Sequence, residues 1–568
     1  EPLVLNPARG VKSPTRRLLT LIQPDRSDLW SVVIFAVLVG GLMLATPVAV
    51  QTLVNFVAFG ASIPPLFVLS GLLLLGLGAA AFVSALQAWI VENLQRRIFV
   101  RVVADLTRRL PRVSRSVSDE HYAPELVNRF FDVMTVQKVS ATLLLEGLST
   151  VLGIVVGLVV LAFYHPFLLA FDLVLLILVS IVIFGPVRRG VTTAIRESKS
   201  KYAVVSWLEE LARNPIAYRS GGIRPFIDQR SECLAQDYVT SRHSHFRVVF
   251  GQMVAALILQ VAASTVLLLI GGLLVVRGEL TLGQLVASEL IVTVVVQSVA
   301  KMGKHIESYY DLTAAVDKLG QLIDLDTEES KGALVPGDST PASLEVRDVA
   351  LTNIGDQSLG SSVRAKVNPG ESLAVVGEAG SGRSLLLEAL YGLRSPMQGT
   401  LLIDDIDYRD VDIDALRHVV SLASFVEIIE GTVLENVTLG RAGISTAEVT
   451  DVLHSLGLLE EIRELPEGLG TRVSPSGAPL TDSQRRRLVL ARTILSRPRL
   501  LLVDGLLDGL HGADREHAVN TVFRETRDWS LVIVTDREDI SARCDRSIEL
   551  QAPKRPVVAS TTPDSEEA

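Results

Sequence analysis

The sequence predicts a two-part protein: a helical membrane domain of six spans, then an α/β domain on a parallel sheet with a phosphate-binding loop. Three observations predict it. Six apolar runs precede Lys301, each about the ~20 residues that cross a hydrocarbon core. The basic residues between them fall on alternate connections. After Leu344, short β-branched runs alternate with helical stretches, and one run opens directly on a glycine-rich loop.

The bulk composition agrees. Of 568 residues, 48% are hydrophobic, and mean hydropathy is +0.38, too apolar for an average soluble enzyme. A net charge of −9 gives no argument for nucleic acid as a partner. Cys233 and Cys544 lie far apart, form neither metal spacing nor a disulfide framework, and fit a reducing compartment. The opening "EPLVLNPARGVKSPTRRLL" lacks the pattern of a signal peptide, so none is expected.

The runs begin at Leu29, Pro64, Ala141, Pro166, Val248 and Leu280. The connections Gly60–Pro65 and His165–Pro166 carry no Lys or Arg, and Arg277–Thr281 carries a single Arg beside a Glu. The long connections, about 92–140 and 186–247, are rich in arginine, among them Arg96, Arg97, Arg101, Arg188, Arg189 and Arg196. The long connections and both termini are therefore expected on the cytoplasmic side of an inner or plasma membrane. "ENLQRRIFVRVVADLTRRL" keeps helical apolar spacing past the second span, so the spans are expected to continue as helices into the cytoplasm. Proline and glycine near Pro124 and Pro215 then mark turn-arounds.

The expected divisions are an N-terminal segment 1–27, a membrane domain 28–325, a Pro/Gly/Ser-rich linker 326–343, an α/β domain 344–552 and a disordered tail 553–568. In the α/β domain "SLAVVG", "RLLLVD" and "LVIVTD" read as buried parallel strands. "GEAGSGRS" follows the first of them and precedes a helix, placing Gly377, Gly380, Gly382, Arg383 and Ser384 in the register of GxxxxGK[ST]. Backbone N–H groups and a helix N-terminus cradle phosphate in such a loop. About 100 residues later stands "LTDSQRRRLVLARTILSRPRLLLVD", beginning at Leu480.

With this pair of features the chain resembles a half-transporter of the ATP-binding cassette (ABC) exporter family, over roughly Thr15 to Leu550. The resemblance implies a six-helix transmembrane domain of the ABC exporter type and a RecA-like P-loop nucleotide-binding domain. It also implies ATP and Mg²⁺ as cofactors, with Ser384 and Asp504 as the metal-associated pair. The partners it implies are the lipid bilayer and a second half-transporter, identical or different. Two ATPs would lie between the P-loop of one half and the signature loop of the other. A membrane-fusion adaptor is a further candidate partner.

Against that pattern the nucleotide-contacting positions depart one after another. Asn353 stands where an aromatic ring would stack on adenine. Arg383 replaces the P-loop lysine, and its planar fork does not substitute for a compact ammonium. Ser424 stands at the Gln-loop position. The signature LSGGQ reads Leu480, Thr481, Asp482, Ser483, Gln484, which brings a carboxylate toward the opposite polyphosphate. Gly505 follows the Walker B aspartate and can accept no proton. His511 replaces the D-loop aspartate, and Asp536 replaces the switch histidine. No catalytic position is intact, so weak or absent nucleotide binding and no hydrolysis are expected, with Arg383 neutralised from within by Asp536 or Asp504. The leading reading is an exporter subunit paired with a more competent half. The alternatives are a homodimeric pseudo-transporter acting as scaffold, regulator or passive conduit, and an ATPase with unusual chemistry. Glu146, Asp172, Gln260, Glu289 and Gln297 lie in or near the apolar runs, and Glu289 is the candidate for a substrate path.

Overall fold

The computed structural model describes residues 17, 23–58, 64–120, 127–328, 332–337, 341–352, 358–424 and 426–551. The chain divides into two compact units. One comprises Glu1–Val113 with Glu120–Thr327, the other Ser114–Asp119 with Glu328–Ala568.

The first unit is helical. Among the described residues, five segments are long and apolar enough to cross a membrane: Gln23–Val57, Leu66–Arg112, Arg129–Ala162, Pro166–Arg213 and Arg224–Val276. The sixth predicted run opens the helix Leu282–Ile323, whose apolar part is Leu282–Val295. That part is shorter than the predicted run because the side chains of residues 296, 297, 299 and 300, Gln297 among them, lie outside those described. Helix starts follow local chemistry. His165 caps Pro166–Phe184, its Nδ1 accepting from Phe167 N at 3.2 Å, and Pro166 takes the first helical position, where no N–H is needed. Thr281 and Gln284 form a reciprocal capping box for Leu282–Ile323.

The helices outrun the bilayer, as the sequence predicts. Pro64–Arg109 has 46 residues and Arg224–Val276 has 53. At 1.5 Å per residue these are about 70 and 80 Å long, against a hydrocarbon core of ~30 Å. Leu72, Leu74, Leu75 and Phe82 are exposed on the second span, the outward apolar face that lipid solvates. Pro166–Phe184 instead turns one stripe inward, Leu168, Asp172, Leu175 and Val179. Leu143–Gly147 is a π-helical turn that carries Glu146. The turn-around at Pro215 is present between Val187–Arg213 and Arg224–Val276, whereas Pro124 lies outside the described residues.

The second unit holds eleven described strands in chain order: Leu344–Thr352 (β1), Ser358–Val367 (β2), Ser372–Gly377 (β3), Gln398–Ile403 (β4), Ile406–Asp407 (β5), Val420–Ala423 (β6), Gly431–Thr432 (β7), Arg472–Val473 (β8), Leu500–Asp504 (β9), Ser530–Val534 (β10) and Arg546–Leu550 (β11). The main sheet runs β11-β3-β10-β9-β6, and every pairing in it is parallel. Strands β3, β6, β9 and β10 are largely buried, which is why they read as apolar runs rather than alternating ones, whereas the edge strand β11 is mostly exposed. Leu501, Val503, Leu531 and Ile533 pack into one core. Leu500, Leu502, Val532 and Val534 pack into another, with the helix residues Leu386, Leu387 and Leu390 and with Leu344, Val346, Leu401 and Ile403 of the antiparallel sheet β2-β1-β4-β5.

The segment read as a linker is docked along this unit where it is described. Arg417 donates to both carboxylate oxygens of Glu328 at 2.7 Å. The backbone N–H groups of Ala333 and Leu334 donate to the Asp410 carbonyl at 3.0 and 2.9 Å. The short segment Ser114–Asp119 belongs here too. Arg394 pairs with Asp119 and with Glu388, and Arg115 reaches Glu388 at 3.2 Å. Two cations and two carboxylates, all half-buried or better, satisfy one another. Glu388 stands on Arg383–Leu390, the helix that leaves the glycine-rich loop.

Two predictions follow from these networks. Arg394→Glu leaves Asp119 and Glu388 facing a third carboxylate, so amide hydrogen exchange across Ser114–Asp119 in the full chain should rise by about tenfold or more; unchanged exchange would remove this network from the forces holding the segment. Arg487 is 1% exposed and pairs with Glu461 at 2.8 Å and Asp514 at 3.2 Å. Arg487→Ala strands both partners, and thermal unfolding should show a loss of about 3 kcal/mol, the low end for a broken buried pair because the carboxylates are partly exposed.

Candidate nucleotide site

The parallel sheet assembles the site. Its carboxyl edge collects the residues that follow β3, β6, β9 and β10, the position where open α/β sheets bind ligands. Leu550 pairs with Gly377, Ala423 with Val503, and Val534 with Asp504. The loop after β3, Ser424 after β6, Asp504 at the end of β9 and Asp536 after β10 are thereby brought side by side, although more than 150 residues separate the first from the last.

The loop has the geometry of a phosphate cradle. Gly380 and Gly382 are left-handed, with φ of 84° and 90°, and Gly382 caps the helix Arg383–Leu390. A Cβ at Gly377 would lie 2.3 Å from the Leu550 carbonyl oxygen, so only glycine lets β3 and β11 close up there. Ser381 is buried and its hydroxyl has no hydrogen-bond partner among the described residues, an orphan that an anion's oxygen would satisfy.

The basic side of the cradle is taken by protein. Arg383 Nη1 donates to Asp536 Oδ1; the guanidinium is 13% exposed and the carboxylate 72%. Asp508 sets that arrangement. Its carboxylate accepts from the Thr535 hydroxyl at 2.5 Å and from the Asp536 backbone N–H at 2.9 Å. Ser384 and Asp504 stand close together, so the two residues of the metal-associated pair are neighbours. Burial pushes the Asp504 carboxyl above the usual carboxylate range, Glu388 and Asp508 push the same way, and Ser384 and Arg383 draw it back. The residues present therefore fit a phosphate on the glycine side, with Ser384 and Asp504 neighbouring one another at the metal-associated position, while the cation that would meet a terminal phosphate is bonded internally.

Gly505 has φ of +60° and nothing within 4 Å of the position a Cβ would take. There is room for a side chain, but an L-residue there would enter the left-handed region at roughly 1–2 kcal/mol. Its N–H donates to the Val534 carbonyl at 3.0 Å, which seats this turn against β10.

The signature segment serves its own helix. Leu480 is in the core. Thr481 caps Asp482–Ile494 in a capping box with Gln484. Asp482 lies in the first turn, where the helix dipole favours an anion, and pairs with Arg486 at 2.7 Å and Arg485 at 3.5 Å. The bond from Arg486 holds its carboxyl below the usual range. The Ser483 hydroxyl donates to Asp514, and Gln484 Nε2 donates to Glu461 at 2.9 Å. Among the described residues none of these bonds reaches the P-loop. His511 caps Gly512–Val522 by position but without a side-chain bond. Asn353 lies outside the described residues, and Glu289 stands in the other unit.

Sequence reasoning missed Asp508 and the Glu388–Arg394 pair. Asp508 had a legible signal, a second acid four positions after Asp504 in "DGLLDGLH". Glu388 and Arg394 had none, because their partners come from the distant segment Ser114–Asp119.

Comparison with known proteins finds both parts. A family profile described as the ABC transporter transmembrane region matches residues 29–210, and one described as ABC transporter matches residues 361–506. Among curated relatives, an alpha-hemolysin translocation ATP-binding protein, HlyB, of Escherichia coli O157:H7 is 24% identical over 49% of this chain and 40% of its own length. The leukotoxin translocation ATP-binding protein LktB of Mannheimia glucosida is 25% identical over 82% of this chain and 66% of its own. A multidrug efflux ATP-binding/permease protein of Mycobacterium bovis is 29% identical over 49% of this chain and 23% of its own. The chain thus spans about 40% of the length of the first of these relatives. The structure of a bacterial Atm1-family ABC exporter with ATP bound superposes with a TM-score of 0.82, covering 93% of this chain and 95% of that one; at 18% identity the likeness is one of fold. The apolar helices make the chain a multi-pass protein of the inner or plasma membrane, with the α/β domain on the cytoplasmic side. The membrane profile and the cassette profile match in the order in which the two folds stand, and the chain belongs to the ABC transporter family, with the fold of its exporters.

Proposed function

We propose that this chain is one half of an ABC exporter, that its cassette transmits movement without hydrolysing ATP, and that it works with a second, more competent half-transporter. The observation that carries the reading is the Arg383–Asp536 pair seated by Asp508. An anion entering the glycine loop finds its cation already engaged and three carboxylates, Asp504, Asp508 and Asp536, close by. ATP and Mg²⁺ binding is therefore weak. With Gly505 beside Asp504, no side chain at the usual position polarises a water molecule. The segment Ser114–Asp119, tied through Arg394 to the P-loop helix by way of Glu388, is suited to carry movement between cassette and helices.

Asp482 favours the second reading, a homodimeric pseudo-transporter acting as scaffold, regulator or conduit. A partner's P-loop would meet this carboxylate, already settled at its helix terminus, where glycine backbone is expected. A membrane-fusion adaptor remains a candidate partner for either form.

The ATPase rate, measured on the purified chain alone and with a co-purifying half-transporter, decides between the readings. Alone, vanadate-sensitive turnover should stay far below about 1 s⁻¹, a low enzyme rate; turnover at that level overturns the proposal. Gly505→Glu should stay inactive, because the new side chain is strained at φ +60° and Arg383 is still engaged. Turnover that appears only with the partner supports the heteromeric form, and none in either preparation supports the pseudo-transporter.

Asp536→Ala frees Arg383. Nucleotide affinity should rise by up to about fivefold, the value of an exposed ion pair, as read by a fluorescent nucleotide analogue. Little stability should be lost, since Asp536 is 72% exposed. An unchanged or weaker affinity would show that Asp536 does not compete with phosphate.

A further inference from the structure

We propose that Asp172 and Glu289 form a binding locus for an amphiphilic organic cation in the half of the membrane unit remote from the cytoplasm. The starts of two helices locate it. His165, the cap of Pro166–Phe184, has its Nε2 3.2 Å from Glu279 Oε2, and Thr281, two residues beyond Glu279, caps Leu282–Ile323. The two helices therefore begin side by side on the same face of the membrane, and they pack against one another below. Asp172 lies seven residues past the first cap and Glu289 eight past the second, about 10 and 12 Å along their axes. The two acids stand at matching depth.

Among the described residues both acids carry buried oxygens without a partner. Asp172 is 5% exposed, lies on the inward stripe of its helix, and has no hydrogen-bond partner for either carboxylate oxygen among the described residues. Buried Oε2 of Glu289 is equally without one, and the hydroxyl of the adjacent Ser288, 2% exposed, is a third orphan. Their surroundings are Leu168, Leu175, Leu280, Ile291 and Val292 of one apolar cluster. No lysine or arginine occurs in Pro166–Phe184, or in Leu282–Ile323 before Lys301. A carboxylate in apolar surroundings is costly and is kept where a partner balances it.

That partner must come from outside the chain, and its chemistry is constrained. It carries positive charge, to meet the two acids, and an apolar body, to replace water against leucine and isoleucine. The Ser288 hydroxyl adds one polar contact. Among the described residues no group of three or more His, Cys, Asp or Glu is placed to hold a metal ion, so the donor set suits a single organic cation. Calling that cation a substrate rests on the exporter reading; the binding locus itself does not.

The test is equilibrium binding of radiolabelled tetraphenylphosphonium to the full chain in lipid nanodiscs, with empty nanodiscs as background. Triphenylphosphine oxide, a similar apolar body without net charge, is the competitor. Saturable binding that triphenylphosphine oxide does not displace is expected. Asp172→Asn and Glu289→Gln should each weaken it by about tenfold or more, whereas Asp228→Asn, on the exposed part of Arg224–Val276, should leave it unchanged. Both amide variants keep side-chain shape, and thermal unfolding matching the parent shows that they fold. Unchanged affinity in both variants, or displacement by triphenylphosphine oxide, overturns the locus. Charge-dependent binding without export from vesicles that hold the chain together with its co-purifying half-transporter would leave the locus standing and remove the exporter reading. Export of another solute with no tetraphenylphosphonium binding would remove the locus alone.

Discussion

Arg383 leaves the first turn of the P-loop helix and meets the carboxylate of Asp536, and the backbone that brings Asp536 there is anchored by Asp508. The character of the cassette depends on this contact. A glycine loop at a helix N-terminus is an anion site by its backbone alone, and the chain keeps that backbone. What differs is the cation beside that backbone, which a carboxylate just past the neighbouring strand engages. Asp508 steadies that contact by holding the Asp536 N–H and the Thr535 hydroxyl together, so the switch loop is positioned from the D-loop rather than by ligand.

A similar internal pairing stands at the signature helix. Its N-terminus favours negative charge, and Asp482 supplies it from within, steadied by Arg485 and Arg486. Both anion-attracting places of the cassette thus carry the protein's own carboxylates. The elements that hold the fold are present: capping boxes at Thr432, Ser445 and Thr481, a largely buried parallel sheet, and Arg487 locked among Glu461 and Asp514. The departures from the family pattern stand at the edge of the sheet, and the two apolar cores beneath it are closely packed.

The apolar spans show the opposite pattern: their polar side chains are few, and some buried ones have no hydrogen-bond partner among the described residues. His165 and Glu279 tie helix starts together at the polar boundary, where water shares the load. Asp172, Ser288 and Glu289 lie deeper without any such support.

The sequence by itself determined the element types. Run length separated spans from strands, arginine placement set orientation, and continuous apolar strands declared a parallel sheet, since each of these signals is local and periodic. It also determined the departures at Arg383, Asp482, Gly505 and Asp536, because a glycine loop and a signature helix keep fixed spacing along the chain. That Arg383 meets Asp536 or Asp504 was legible for the same reason, and the structure places its bond on Asp536. Tertiary structure alone decided the rest. That Asp508 organises the switch loop follows from a turn at Gly505 with φ of +60°, which no composition reveals. That Ser114–Asp119 is held by Glu388 and Arg394 depends on a pairing across more than 260 residues. That Asp172, rather than Glu289 alone, is the isolated acid of the membrane unit depends on which stripe of its helix turns inward. In an apolar run hydrophobic on every side, the sequence carries no amphipathic signal to say so.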